Sequence, residues 1–338
     1  MSHTAKFWHK LDDGRIECEV CPRHCKLSDG QRGFCFVRQC QSDKIVLTTY
    51  GLSSGLAIDP VEKKPLYHFY PGSKVFSLGT AGCNLSCKFC QNWHISAARD
   101  INILSQKASP REIAEYAKNH NCESVAFTYN EPTIFLEYAI DTAKECHKLG
   151  IKTIAVTNGY IEKEACAEFY KYIDAANVDL KAFNDATYAK LMGGHLQVVL
   201  DTLLYLKHET DVWLEITTLL IPGENDSDAE LQAECNWIVE NLGVDVPLHF
   251  SAFFPAWKML DKEPTSLKTL QRARNIAKQS GIRHVFLGNI YDPASSHTYC
   301  HNCGKIIIER HNYQILSYHL TGDKCEFCGT KCAGIFEE

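Results

Sequence analysis

The sequence predicts an α/β chain built on a partial or near-complete (β/α) barrel, with a cysteine-rich extension before it and a zinc-ribbon-like module after it. Three observations predict this. Short β-rich runs alternate with helical patterns through the middle of the chain, and each run turns from apolar to polar at its C-terminal end. The cysteines gather before that middle, at its opening and after it. The expected organisation is a metal-binding N-terminal region over 1–73, the barrel over 74–293 and the ribbon over 294–338.

The bounds agree with one large domain and small appendages, at 338 residues and 45% hydrophobic composition. Thirty-five basic against 41 acidic residues give a formal charge of −6 without a basic run, which speaks against a nucleic-acid partner gripped by its phosphates. No apolar run reaches the roughly 18 residues a membrane span needs. The opening "MSHTAKFWHKLDDGRIECEV" lacks the apolar stretch of a secretory leader. Seventeen cysteines in such a chain are expected as reduced thiolates on metal, in a cytoplasmic protein.

In chain order, "VFSLGT", "SVAFTYN", "KTIAVTNG", "NVDLKAF", "VWLEITTLLIPG", "LHFSAFF" and "HVFLGNI" read as strands by β-branched and aromatic content and by length. Helices lie between them. Ser109-Pro110-Arg111-Glu112 offers an N-cap serine, a proline in the first turn and a capping-box glutamate, ahead of an apolar face through Ile113, Tyr116 and Ala117. Leu231, Cys235, Ile238 and Leu242 share a helix face. So do Phe135, Tyr138, Ala139, Cys146 and Leu149, which makes Cys146 and Cys235 core thiols. Strands alternating with helices mean parallel βαβ units, and in barrels the chemistry sits where the strands end. Here those ends carry Cys83 to Cys90, Tyr129-Asn130-Glu131, Asn158, Asp179 and Lys181, Thr217 or Thr218, His249 or Ser251, and Asn289.

The loop "GTAGCNLSCKFCQNW" places Cys83, Cys87 and Cys90 within eight residues. Structural zinc takes four ligands, and here only His94 stands close enough to be a fourth. An iron–sulfur cluster normally takes four thiolates, so three would leave one iron open to a further ligand. Gly79 and Gly82 suit a backbone that must approach closely.

Cys83-Asn84-Leu85-Ser86-Cys87-Lys88-Phe89-Cys90 resembles the CxxxCxφC signature of radical S-adenosylmethionine (SAM) enzymes, with Phe89 in the aromatic slot and Gln91 next to the last thiolate. The resemblance implies a [4Fe–4S] cluster on the three thiolates, with SAM completing the fourth iron. It also implies a barrel of the radical SAM type and reductive cleavage of SAM to a 5′-deoxyadenosyl radical that abstracts hydrogen. "FTYNEPTIF" stands where the superfamily carries Gly-Gly-Glu-Pro against the SAM amino group. Glu131 and Pro132 match, while Tyr129 and Asn130 replace the glycines. "VDLKAF" resembles the Asp-x-Lys of pyruvate formate-lyase activating enzymes, which carries a SAM contact onto Asp179 and Lys181. "LHFSAFFP" makes His249 the expected adenosine contact, and Asn158 joins the expected cofactor-binding set. Over nearly the whole length, through "CPRHC", "DGQRGFC", "PVEKKPLYHF" and the tail, the chain resembles the radical SAM member of the AmmeMemoRadiSam system. That resemblance implies Memo-like and AMMECR-like partners, and the chemistry implies a flavodoxin- or ferredoxin-type electron donor.

In the tail, Cys300/Cys303 and Cys325/Cys328 form two CxxCG knuckles with 21 residues between them, which indicates a four-cysteine zinc site and leaves Cys332 spare. In "CEVCPRHCKLSDGQRGFC", Cys18, Cys21, Cys25 and Cys35 also imply a metal. Zinc and a second [4Fe–4S] cluster both fit. The nearby Arg23, Lys26, Arg32 and Arg38 are expected in solvent, offsetting the charge of that site or docking an electron donor. The leading expectation is a radical SAM enzyme acting on a protein or small molecule. The alternatives are a radical SAM enzyme that modifies RNA and a non-catalytic multi-metal adaptor.

Overall fold

The structure, a computed structural model, describes residues 3–100 and 106–336. Its centre is an eight-stranded sheet: β1 (Gly55–Pro60), β2 (Lys74–Gly79), β3 (Ser124–Phe127), β4 (Lys152–Thr157), β5 (Ala175–Asp179), β6 (Trp213–Leu220), β7 (Leu248–Ala252) and β8 (Val285–Gly288). The strands lie side by side in chain order, with β2 to β8 all parallel and β1 antiparallel against β2. All seven expected strands are present. β1 had no signal of its own, because half of its six residues, "GLAIDP", are glycine, alanine and proline. Among the described residues no ladder joins β8 to β1, so the sheet is open.

Helices α1 (Pro110–Asn119), α2 (Leu136–Lys148), α3 (Lys163–Phe169), α4 (Leu196–Glu209), α5 (Asp228–Leu242) and α6 (Leu267–Gln279) make the crossovers. Ser109 caps α1 in a full capping box with Glu112, as the sequence predicts. Leu231, Cys235, Ile238 and Leu242 form the buried stripe of α5, and Cys146 is buried on α2. No helix among the described residues is long and apolar enough to cross a membrane.

One end of the concave face is filled by the chain itself. Val61, Leu66 and Phe69, in the link between β1 and β2, pack on Val75, Ala126, Ile154 and Ala175. The backbone N–H groups of Tyr67 and His68 donate to the buried carboxylate of Glu215 on β6, and Asn177 on β5 donates to the Pro65 carbonyl. This plug leaves the strands' C-terminal end as the open one.

The N-terminal region folds as two three-stranded antiparallel sheets. Its arginines are not solvated as expected. Arg38 is fully buried and grips both oxygens of buried Glu137 on α2, at 2.8 and 2.6 Å. Arg23 donates to the carbonyls of Asn84 and Gly193, with its guanidinium 4.0 Å over the Phe34 ring. The module is thus bolted to the sheet beside the cysteine loop. At the other end of the chain, β9 (Ile306–His311) and β10 (Gln314–Tyr318) form the ribbon's main hairpin. Buried Arg310 on β9 reaches the Tyr67 carbonyl at 2.7 Å and the Thr298 hydroxyl at 2.9 Å, beside Glu62. The tail then exchanges backbone hydrogen bonds between Ile335 and the plug at His68 and Tyr70. A buried guanidinium with several acceptors around it fixes this docking.

Candidate active site

The three-cysteine loop leaves β2 through a crowded exit. A Cβ on Gly79 would stand 2.4 Å from the Thr128 carbonyl oxygen, and one on Gly82 (φ +87°) would stand 2.1 Å from that of Cys35. Only glycine lets the loop pass between β3 and the N-terminal module. Beyond it, the Ser86 and Lys88 N–H groups donate to Met192 and Leu191, and Asn84 donates to the Tyr160 carbonyl. The loop is held from three sides.

Cys83, Cys87 and Cys90 are half-buried and line one cavity of about 270 Å³. Its walls include Phe89, Gln91, Tyr129, Asn130, Glu131, Asn158, Asp179 and Lys181, eight of the nine residues expected to bind cofactor. These come from the ends of successive strands, as a curved parallel sheet dictates. Burial pushes the Cys87 thiol up to about 12. Burial first, then the charges of Cys87 and Glu131, pushes Cys83 well above the ordinary thiol range. Thiols so placed stay protonated until a cation replaces the protons.

The donor set fits an iron–sulfur cluster. Among the described residues the three sulfurs are not all within 4.8 Å of one another, a spread that a multi-iron cube accommodates. At the cavity wall, Lys181 Nζ lies 2.7 Å from Asp179 Oδ2. Burial opposes the lysine's charge, but the Asp179 carboxylate and Cys87 hold its pKa above the usual value. The result is a fixed charge pair, with its carboxylate about one third exposed toward the cavity.

Tyr129, Asn130 and Glu131 take up positions that the sequence did not show. Asn130 accepts from Thr80 N–H at 3.0 Å and donates to the Gly82 carbonyl at 2.9 Å, so its amide clamps the cysteine loop. Glu131 accepts from Thr133 N–H, the Thr133 and Thr157 hydroxyls and Asn158 N–H, all within 3.0 Å. Three of these donors fall on Oε1 and one on Oε2, and together they tie β3 to β4. Asn158 extends the chain of contacts to Asn84 at 2.9 Å. Tyr129 adopts φ +69° and lays its ring against Gly55 on β1, while its carbonyl accepts from Asn92.

His249 is the correction. Its Nε2 lies 2.6 Å from Glu215 Oε2, it stacks with Phe286, and it does not line the cavity. Ser251, on the same strand face but two residues nearer the strand's C-terminal end, stands at the wall instead. Thr217 likewise faces the cavity, whereas Thr218 turns outward to Glu234 on α5. Asn92 and Ser96, the latter 3.2 Å from Cys90 Sγ, complete the rim without a sequence signal beyond their closeness to the loop.

The two outer cysteine sets differ. In the tail, Cys300, Cys303, Cys325 and Cys328 gather their sulfurs within 4.8 Å, with 3.5 Å between Cys300 and Cys328 and 3.8 Å between Cys303 and Cys325. Zn–S bonds of about 2.3 Å in a tetrahedron put sulfurs roughly 3.8 Å apart, so the set fits one zinc ion. No three of Cys18, Cys21, Cys25 and Cys35 come that close among the described residues. They lie partly beneath the central loop, with the Cys35 carbonyl packed on Gly82.

Residues 77–234 match the model of the radical SAM superfamily. The chain is 40% identical to the uncharacterized protein MJ0808 of Methanocaldococcus jannaschii, over 97% of this chain and 98% of that one. It is 23% identical to the pyruvate formate-lyase 1-activating enzyme of Escherichia coli, over 61% of this chain and 89% of that protein. Among solved structures, a radical SAM methyltransferase from Sphaerobacter thermophilus superposes with a TM-score of 0.51 at 15% identity, covering 85% of this chain and 76% of that one. The three-cysteine cavity at the strand ends and these relatives lead to one conclusion: the chain carries a radical SAM domain over residues 77–234 and belongs to one family with the Methanocaldococcus protein.

Proposed function

We propose that this enzyme binds a [4Fe–4S] cluster through Cys83, Cys87 and Cys90 and uses it to cleave SAM reductively, for hydrogen abstraction from a protein or small-molecule substrate. The observation that carries the reading is the convergence of three thiols on a cavity that also holds the Asp179–Lys181 pair. A cluster there supplies one electron to SAM, whose cleavage gives methionine and the 5′-deoxyadenosyl radical.

The chain's own residues do the rest. Asp179 presents its free carboxylate edge to a cationic group in the cavity, and Lys181 holds the other edge from 2.7 Å. Asn130 and Asn158 hold the cysteine loop at a fixed height above the sheet. Glu131 braces the strand ends, and Ser251 and Thr217 supply neutral hydroxyls on the far wall. The plug below and the N-terminal module beside the loop limit water at the radical's site.

A low-potential donor of the flavodoxin or ferredoxin type must deliver the electron, in a cytoplasm that keeps thiols reduced. Cys18, Cys21, Cys25 and Cys35 fit a second [4Fe–4S] cluster better than zinc, given their wide spacing and the buried guanidinium of Arg38 beside Cys18 and Cys35. The tail knuckles fit structural zinc. The sequence motifs "CPRHC", "DGQRGFC" and "PVEKKPLYHF" support membership of the AmmeMemoRadiSam group, with Memo-like and AMMECR-like proteins as partners. The test is anaerobic reconstitution, counting iron, sulfide and zinc per chain and measuring 5′-deoxyadenosine under strong reductant. Release of the nucleoside with cluster iron in place supports the reading. Zinc in the central loop, or loaded protein inert toward SAM, overturns it.

A further inference from the structure

Cys332, spare after the four-cysteine site is filled, has a place of its own. It is buried, as are His68 in the plug and His284 just before β8, with exposures of 2, 0 and 3%. One ligand atom from each of the three lies within 4.8 Å of the others. The His284 Nε2 atom is buried with no hydrogen-bond partner. A buried, unpaired imidazole nitrogen costs free energy unless something occupies it. His68 is already oriented: its Nδ1 lies 2.8 Å from the Ala333 carbonyl, so it donates there and leaves the Nε2 lone pair free to bind. A backbone carbonyl on the far nitrogen is the usual support of a metal-bound histidine. Thr298 Oγ1, 3.2 Å from His68 Nε2, is the competing contact, and that hydroxyl is also engaged by Arg310. The rings of His68 and His284 meet edge to face with centroids 4.4 Å apart.

We propose that His68, His284 and Cys332 bind a zinc ion separate from the one in the ribbon. Two imidazoles and one thiolate are a borderline-soft set that suits zinc, and three protein ligands leave the fourth position for a small donor. The ion would join three segments remote in sequence: the plug, the start of the last strand and the end of the tail. The plug and the tail already meet through the backbone bonds of Ile335 with His68 and Tyr70, and the plug meets the last strand's start where the His68 and His284 rings touch. The site would therefore fasten the ribbon to the closed end of the sheet, far from the cysteine loop.

The test uses the full chain, loaded anaerobically with iron, sulfide and zinc and then desalted. Zinc X-ray absorption of the unmodified protein should show nitrogen as well as sulfur neighbours, since every other candidate zinc site is all cysteine. An all-sulfur shell overturns the proposal. His284→Gln and Cys332→Ser should each lose one zinc per chain at unchanged iron content and unchanged 5′-deoxyadenosine release. The double variant should lose no more than either single one. Zinc counts equal to the unmodified protein's would show a plain buried cluster. Should either variant fail to fold, the zinc spectrum of the unmodified protein decides: nitrogen neighbours support the site, and an all-sulfur shell refutes it.

Discussion

The central loop and the tail knuckles both gather cysteines suited to metal, yet they arrange them in opposite ways. In the tail, four sulfurs are drawn within 4.8 Å, on hairpin turns whose only core is a handful of residues such as Ile307, Ile308 and Leu320. A small module of that kind relies on its ion for folding free energy. In the centre, three sulfurs stand wider apart on a loop already fixed by Asn84, Asn130 and the Gly79 and Gly82 crossings. That loop needs no metal to hold its shape, and its missing ligand opens onto a cavity. The difference teaches that ligand count and prior rigidity separate a metal that builds structure from one that performs chemistry.

The sharpest way to break this comparison is Cys83→Ala. It should abolish 5′-deoxyadenosine release and remove the central cluster's iron, with tail zinc and melting temperature nearly unchanged. Next, Cys325→Ser with Cys328→Ser should lose the ribbon zinc and leave the iron in place. Structural zinc in isolated finger peptides is worth about 10–16 kcal/mol, so the tail should become protease-sensitive while the sheet stays folded. Retained zinc, or lost iron, would show that the two regions are not independent.

Glu137→Ala strands the buried Arg38 charge and should destabilise the N-terminal module by about 3–5 kcal/mol, measured by denaturant melts. If the module braces the cysteine loop, iron retention falls with it. Asp179→Ala should leave iron intact and weaken SAM by roughly 10- to 100-fold, the range for losing a charged hydrogen bond of about 1.5–3 kcal/mol. Equilibrium binding of SAM to the loaded protein checks it.

The smallest effect is a control away from both metal regions. Glu234 on α5 is buried against Thr218, and burial pushes its pKa from 4.5 up to about 8. Between those values the folded chain holds a proton that the unfolded chain has lost. Stability from this group is therefore full below about pH 4.5 and falls away as pH rises toward 8. Glu234→Gln should flatten that slope in melts across pH 5 to about 8, without touching iron or zinc.

Periodicity was enough for the seven parallel strands and for the buried stripes through Cys146 and Cys235, because burial repeats with the local geometry of helix and strand. The cysteine spacings were equally plain, since a metal imposes short loops. The side chains at strand ends were harder to assign. Asn130 and Glu131 were found as cavity residues, but their partners, Gly82 and Asn158, lie on other segments. His249 and Ser251 both face inward, and only the plug's approach to Glu215 fixes which of them is buried below the cavity.

By itself the sequence determined the alternation of strands and helices, the three-thiolate loop and the four-thiolate tail. Each is a short-range pattern whose physics is complete within a few residues. Tertiary structure alone decided that Arg38 and Arg310 are buried clamps, that Asn130 serves the loop, and that Cys332 meets His68 and His284. Those outcomes depend on segments far apart in the chain being packed together. The cost of leaving a buried polar group unpaired selects the partner, and no local pattern records it.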